Sequence, residues 1–233
     1  MPVALVTGGN RGIGAVTASA LAEAGWDVVV GSRDGSAPGG LAAVPLDVTS
    51  TESVDAAFDR IEAEHGPVAA LVANAGITRD TLVLRMSDDD LSAVIETNLV
   101  GSIRCARRAA RAMIRARRGA IVFVSSVVGL SGSAGQVNYA ASKAGLVGAA
   151  RSLARELGPR GVTVNVIAPG FVETDMTAVL DESRRGEILS QVPLARFANA
   201  DEVAATIAFL VSEAASYITG AVIPVDGGLG MGN

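Results

Sequence analysis

The chain has 233 residues and a mass of 23.5 kDa, enough for one α/β domain that buries about 70% or more of its unfolded surface. Apolar residues make up 49% and aromatics only 3%, which excludes a disordered chain and leaves Ala, Val, Leu and Ile to fill the core. The formal charge of −5 argues against nucleic acid as the main partner. No apolar run approaches the roughly 18–20 residues of a bilayer span. The single cysteine, Cys105, forms no internal disulfide, in keeping with a reducing cytoplasm.

The first predicted strand is Val3–Val6, with no basic stretch before it, so no secretory signal is expected. It runs into Thr7-Gly8-Gly9-Asn10-Arg11-Gly12-Ile13-Gly14 and then a helix over Ile13–Ala24. Glycines there permit a sharp turn (Gly8), close backbone approach to a pyrophosphate (Gly12) and close helix–strand packing (Gly14). The free amides of the helix N-terminus would face the phosphates. The spacing is G-x-x-x-G-x-G, and an ordinary tight turn is the alternative.

The second strand, Asp27–Val30, leads into Gly31-Ser32-Arg33. An NAD site of this kind carries an acid here to accept from the ribose 2′-hydroxyl. Ser32 stands in that place, with Arg33 beside it and Arg11 opposite, a pattern suited to a 2′-phosphate and hence to NADPH. Asp34 reads as a turn former pointing away, together with Gly35. Val44-Pro45-Leu46 is a weak, edge-like strand, because proline donates nothing to a ladder. A helix over Thr51–Glu64 ends at His65, the only histidine, read as exposed rather than catalytic or metal-bound.

Val68–Ala73 is the fourth strand and ends in Asn74-Ala75-Gly76, a turn or a binding loop. A long helical pattern over Asp89–Arg117, open to an interruption, contains Asn98, a mediocre helix former with either a local job or a solvated position. Arg104, Arg107, Arg108, Arg111, Arg115 and Arg118 recur at three- and four-residue steps. They read as a solvated or subunit-facing stripe, or as a dock for an acidic partner. Strand Ala120–Val124 is followed by Ser126, whose hydroxyl either caps the loop or bonds a substrate carbonyl oxygen.

The helix Tyr139–Leu157 opens on Tyr139-Ala140-Ala141-Ser142-Lys143. Positions i and i+4 share one face, so the phenol and the ammonium project together. A fixed cation lowers a phenol's pKa and makes it usable for acid–base work. Lysine and arginine together number 19, and Lys143 is the only lysine. Strand Val162–Ala168, a segment of mixed polarity over Phe171–Phe197, helix Asp201–Ser212 and strand Ala221–Val225 complete the chain. The alternation predicts a single Rossmann-type, doubly wound parallel sheet of about seven strands, with helices on both faces and one domain over 1–233.

These motifs, with Asp47-Val48, Asn165 and Pro169-Gly170, resemble the short-chain dehydrogenase/reductase superfamily over essentially the whole chain. The stretches 74–80, 138–145, 168–176 and 217–220 are similar to the bacterial 3-oxoacyl-[acyl-carrier-protein] reductases. The tail 225–232 and Gly35–Pro38 look like the actinobacterial branch that includes the mycobacterial mycolic-acid enzyme. The resemblance implies NADPH-dependent reduction of a 3-oxoacyl thioester in the cytoplasm by a homotetramer built from two helix pairs, without metal or membrane span. Reductases of acetoacetyl-CoA, polyketide or other ketones, and a non-catalytic NADP(H) sensor, are the alternatives. It also implies roles: Tyr139 as proton donor, Ser126 orienting the carbonyl oxygen, Lys143 on the nicotinamide ribose, and Asn98 holding a water that relays protons. Asp47 and Val48 would flank the adenine, Asn74 and Gly76 the neighbouring ribose, and Val172 and Thr174 the nicotinamide amide, with Ala75, Pro169 and Gly170 also against the cofactor. Arg117 and Arg160 align with basic residues that meet the acyl carrier protein beside the active-site entrance, and 171–197 would form a lid. One departure is Ala73, where many relatives have a second asparagine.

Overall fold

The computed structural model describes residues 1–174, 177 and 181–231, without the side chain of 184. Seven parallel strands form one sheet: β1 Val3–Thr7, β2 Asp27–Ser32, β3 Ala42–Pro45, β4 Val68–Ala73, β5 Gly119–Val124, β6 Val162–Pro169 and β7 Val222–Val225. Their order is β3-β2-β1-β4-β5-β6-β7, and the strand count and parallel direction are as the alternating pattern predicts. The central strands are apolar on both faces because helices cover both. The weak candidate at 44–46 is a real edge strand, shifted to Ala42–Pro45 and paired only with β2. Pro45 is exposed there, where a missing N–H costs the sheet little.

Helices α2 (Thr51–Glu64), α4 (Gly101–Ala116) and α6 (Val137–Leu157) cover one face, meeting Leu5, Val29, Leu71, Ile121 and Val164. Helix α1 (Gly12–Glu23) covers the other, with the helix over Ala200–Val211, burying Ala18, Leu21, Val203 and Ile207 on Ala4, Val6, Val72 and Val122. Ser50 caps α2 by accepting from the Ser53 amide at 3.1 Å. Asn199 and Glu202 form a reciprocal capping box at the start of Ala200–Val211.

The pattern over 89–117 is interrupted, and the interruption matters. Helix α3 (Asp88–Ile95) passes through a single π turn, Glu96–Val100, before α4 begins. Such bulges cluster at functional sites, and Asn98 lies in this one. After β5 comes one short helical turn, α5 (Val128–Ser131). Within 171–197, α7 (Glu182–Leu189) is helical, and Ile188, Val192 and Phe197 form a small apolar cluster with Phe171 and Leu229. The Ala200–Val211 helix is therefore α8. Asp175, Met176 and Gly232, quoted in the resemblance, lie outside the described residues, as do 178–180 of the proposed lid.

Two expectations about charged residues are corrected. The arginines of α4 are not one solvated stripe. Arg108 is buried, holding Asp59 at 2.7 Å and Glu62 at 3.0 Å on α2, with its guanidinium over the Phe58 ring. Arg104 is turned inward onto Glu96, Thr51 and the Val48 carbonyl. Arg107, Arg111, Arg115 and Arg118 are the exposed ones. His65 is half-buried rather than exposed, with Nδ1 3.0 Å from Asp27 Oδ2, tying the end of α2 to the start of β2. Among the described residues no helix is long and apolar enough to cross a membrane.

Candidate active site

The strand order reverses around β1 and β4, and ligands in open α/β sheets bind at the carboxyl ends of strands beside such a point. The glycine-rich turn, Asn74–Gly76 and Ser126 all follow strands at that edge. A Cβ on Gly14 would stand 2.4 Å from the Gly8 carbonyl oxygen and 2.5 Å from Asn74 Nδ2, so only glycine lets α1 start this close to the strand end. Gly12 has φ +54°, and beyond it lies open space bounded by Thr174. Arg11, at the N-cap of α1, makes no side-chain hydrogen bond to the first turn, and no acid occupies that turn. Free amides facing an open cradle fit a pyrophosphate.

The Thr7 hydroxyl accepts from the amides of Asn74 and Ala75, both at 3.1 Å. Asn74 Nδ2 returns bonds to the carbonyls of Thr7 and Gly8 at 3.1 and 3.0 Å. Its amide nitrogen is therefore engaged in holding the turn. Asp47 folds back on Thr49, which lowers its pKa, and the Val48 side chain is buried against Gly101. Contact with an adenine from Val48 would have to come from its backbone. Asp34 is a turn former, but it does not point away. Its Oδ1 accepts from Ser36 Oγ at 2.7 Å, Ser32 Oγ at 3.0 Å and the Ser36 amide at 3.1 Å, and faces Asn10 Nδ2 at 3.5 Å. Those hydroxyl donors pull the carboxylate toward the glycine-rich turn and hold its pKa below the usual range, the Ser36 side chain most strongly. Arg33 and Arg11 are exposed.

Tyr139, Lys143 and Ser126 converge. The Ser126 side chain lies close enough to the Tyr139 phenol to lower its pKa against the effect of burial, and Ser126 Oγ accepts from the Val128 amide at 3.2 Å. Lys143 Nζ donates to the Val124 carbonyl at 2.7 Å and lies 5.6 Å from the centre of the Tyr139 ring. Gly129 lets α6 press on this loop, since a Cβ there would stand 2.8 Å from Lys143 Cβ. Burial pushes the Lys143 ammonium down to about 8. It pushes the Tyr139 phenol up, opposed by Ser126 and helped by the charge of Asp80. The expected lowering of the phenol's pKa by Lys143 is therefore not what governs here: the ammonium is aimed at a carbonyl and is itself desolvated. A protonated phenol is the form a proton donor needs.

Asn98 is fully buried, so its reading as a solvated helix position is corrected. Its Oδ1 accepts from the Ile77 amide at 2.8 Å, while Nδ2 donates to the Ile77 carbonyl at 3.0 Å and to Ser142 Oγ at 3.1 Å. Both ends of the carboxamide are bonded within the protein, so Asn98 clamps the loop after β4. A Cβ on Gly76 would stand 3.2 Å from Asn98 Oδ1 and 3.5 Å from Lys143 Nζ, so the loop passes against both.

Three supporting residues escaped the sequence reading. Ser125 Oγ donates to the Lys143 carbonyl at 2.8 Å. Asn138 bonds the Arg79 carbonyl and accepts from the Tyr139 amide. Ser142 Oγ donates to the Tyr139 carbonyl at 2.7 Å. All three are buried polar residues flanking the Tyr–Lys pair. A poor helix former inside a helical run is the one hint the sequence holds.

Arg117 and Arg160 are neighbours, with Arg117 Nη2 donating to the Pro159 carbonyl at 3.3 Å. They do not flank the entrance of their own chain. Both precede the strands β5 and β6, whose far ends carry Ser126 and Pro169. Helices α4 and α6 run back against the sheet and deliver them to the opposite edge, about 20 Å away along a six-residue strand.

A protein-family profile described as "Enoyl-(Acyl carrier protein) reductase" matches residues 8–230. The chain is 50% identical over 229 residues to the 3-oxoacyl-[acyl-carrier-protein] reductase MabA of Mycobacterium avium, covering 98% of this chain and 90% of that protein. It is 51% identical over the same length to MabA of Mycobacterium tuberculosis, covering 98% and 93%. To the 3-oxoacyl-[acyl-carrier-protein] reductase FabG of Escherichia coli it is 46% identical over 237 residues, covering 98% and 97%. With a glycine-rich turn after the first strand and half-buried Ser126 and Tyr139 beside buried Lys143, the chain belongs to the short-chain dehydrogenase/reductase superfamily, among the relatives of the 3-oxoacyl-[acyl-carrier-protein] reductases.

Proposed function

We propose that this protein reduces the ketone of a 3-oxoacyl thioester to the 3-hydroxyacyl product, using NADPH, in fatty-acid synthesis. The observation that carries the reading is the convergence of the Ser126 and Tyr139 hydroxyls beside buried Lys143, next to the glycine-rich turn. The names of the relatives support the substrate class. The turn of residues 8–14 would hold the pyrophosphate of NADPH, with Asn74–Gly76 near the ribose and Pro169, Gly170, Val172 and Thr174 near the nicotinamide, which when bound would supply the hydride received by the ketone carbon. Tyr139 gives its proton to the ketone oxygen, so hydride and proton together make the alcohol. Ser126 donates a hydrogen bond to the same oxygen as charge grows on it. Lys143, whose ammonium lies 5.6 Å from the centre of the Tyr139 ring, would hold the nicotinamide ribose.

The family profile's description names reduction of a carbon–carbon double bond, and one assay separates the readings. NADPH consumption is expected with acetoacetyl thioester and not with crotonyl thioester. The reverse preference would overturn the ketone assignment, and no consumption with either would favour a nucleotide sensor.

NADPH over NADH rests on Arg33, after the second strand, and Arg11, in the glycine-rich turn, both exposed. Asp34 leans into the same region, but its Oδ1 is already taken by Ser32 and Ser36. A charge-assisted contact contributes roughly 1.5–3 kcal/mol, so Arg33→Ala is expected to weaken NADPH binding about 10- to 100-fold and leave NADH almost unchanged. Calorimetric titration checks this; equal losses for both nucleotides would remove Arg33 from the 2′ site.

Acyl carrier protein is the proposed donor of the substrate, in the cytoplasm. Arg117 and Arg160 sit at the far edge of their own sheet, so they reach a carrier docked at an active site only from another copy, as a homotetramer would allow. Reversing both charges is expected to reduce kcat/KM on carrier-bound substrate about tenfold or more, with strong salt dependence, and to spare a small thioester. Equal losses on the two substrates would make these arginines structural.

A further inference from the structure

We infer that Ser142 is a positioning residue of the reductase, acting through Asn98 and the backbone of Tyr139; the inference rests on the ketoreductase reading above. Ser142 is fully buried and lies in the helix that carries Tyr139 and Lys143. Its hydroxyl has one proton, which goes to the Tyr139 carbonyl at 2.7 Å. Its oxygen is therefore the acceptor toward Asn98 Nδ2 at 3.1 Å. Asn98 in turn holds both the amide and the carbonyl of Ile77, as a neighbouring strand would.

The chain of bonds runs Ile77–Asn98–Ser142–Tyr139 and joins three separate elements: the loop after β4, the π turn and α6. Each bond is partly or wholly shielded from water, and such networks hold geometry more tightly than solvated contacts. What the network spaces is the catalytic group. Gly76, next to Ile77, lies against Lys143 Nζ, and Asn98 lies against Gly76 from the other side. Without the Ser142 hydroxyl, Asn98 keeps its grip on Ile77 but loses its tie to the helix bearing the phenol and the ammonium. The loop could then shift relative to Tyr139 and Lys143 by tenths of an ångström. Displacements of that size slow proton transfer more than they weaken nucleotide and substrate binding.

The test is a double-mutant cycle on kcat for acetoacetyl thioester, with KM, NADPH dissociation constant and melting temperature measured for each variant. Ser142→Ala is expected to lower kcat about tenfold, with KM and NADPH affinity within about twofold. Asn98→Ala lowers kcat at least as much, and the double variant is no slower than Asn98→Ala alone, because one path is broken twice. Multiplying losses would overturn the inference, as would a Ser142→Ala enzyme that melts lower but turns over at the wild-type rate. If Ser142→Ala does not fold, Ser142→Cys keeps the volume and weakens the hydrogen bond. A similar fall in its kcat supports the inference, and an unchanged kcat overturns it. Tyr139→Phe separates the two levels: full turnover in that variant overturns the ketoreductase site together with this inference. An inactive Tyr139→Phe with a fully active Ser142→Ala overturns this inference alone.

Discussion

Tyr139→Phe is expected to lower kcat for acetoacetyl thioester by about 10²–10⁴-fold, the usual contribution of a general acid, with NADPH binding nearly unchanged. The phenol is the donor because it is protonated at neutral pH, burial raises its pKa further, and Ser126 lies beside it. Phenylalanine keeps the ring that packs near Lys143 and removes only the hydroxyl. Stopped-flow measurement of NADPH oxidation, beside a binding titration, reads both quantities. A variant with most of the wild-type rate would transfer the proton donation to another group.

The second large effect concerns Lys143, where activity and stability are expected to move in opposite directions. The ammonium is fully buried, with the Val124 carbonyl as its hydrogen-bond acceptor, and its pKa falls from 10.5 to about 8. Desolvation without a countercharge is the cause. Between those two values the unfolded chain binds a proton that the folded chain does not, so wild-type stability rises with pH across that window. Below about pH 8 the folded state carries the whole cost, on the order of 3 kcal/mol. Lys143→Met removes that cost along with a hydrogen bond of about 1 kcal/mol. It is expected to be inactive and about 2 kcal/mol more stable at pH 7, the gain fading as pH rises past 8 toward 10.5. Lys143→Arg also fails in turnover, because a planar fork cannot occupy the site of a compact ammonium. Denaturant melts of wild type and Lys143→Met at several pH values check the claim. A less stable Lys143→Met at pH 7 would mean that the ammonium stabilises the fold.

How far the sequence reached follows from where each signal lay. Strands apolar on both faces and the Gly8–Gly14 turn are local patterns, and both emerged in place. The Tyr139–Lys143 pair was equally local, since i and i+4 share a helical face. Asn98 was ambiguous because its meaning depends on Ile77 and Ser142, far off in sequence. A π turn also has no compositional mark. Arg108 looked like part of a surface stripe because its acidic partners sit on α2, outside any helical window. Asp34 was misread for the same kind of reason: two serines decide its direction, and their hydroxyls leave no periodic trace. The placement of Arg117 and Arg160 needed the direction of the strands, which makes residues between a helix and a following strand fall at the edge opposite the site.

The central claim is that hydride reaches the ketone carbon while Tyr139 protonates its oxygen. NADPH carrying deuterium at its transferable position, incubated with the enzyme and a 3-oxoacyl thioester on acyl carrier protein, tests it directly. The product should be a 3-hydroxyacyl thioester with one deuterium on the carbon bearing the hydroxyl, formed by wild type and about 10²–10⁴-fold more slowly by Tyr139→Phe. Deuterium on another carbon, or no reduced product at all, would contradict it.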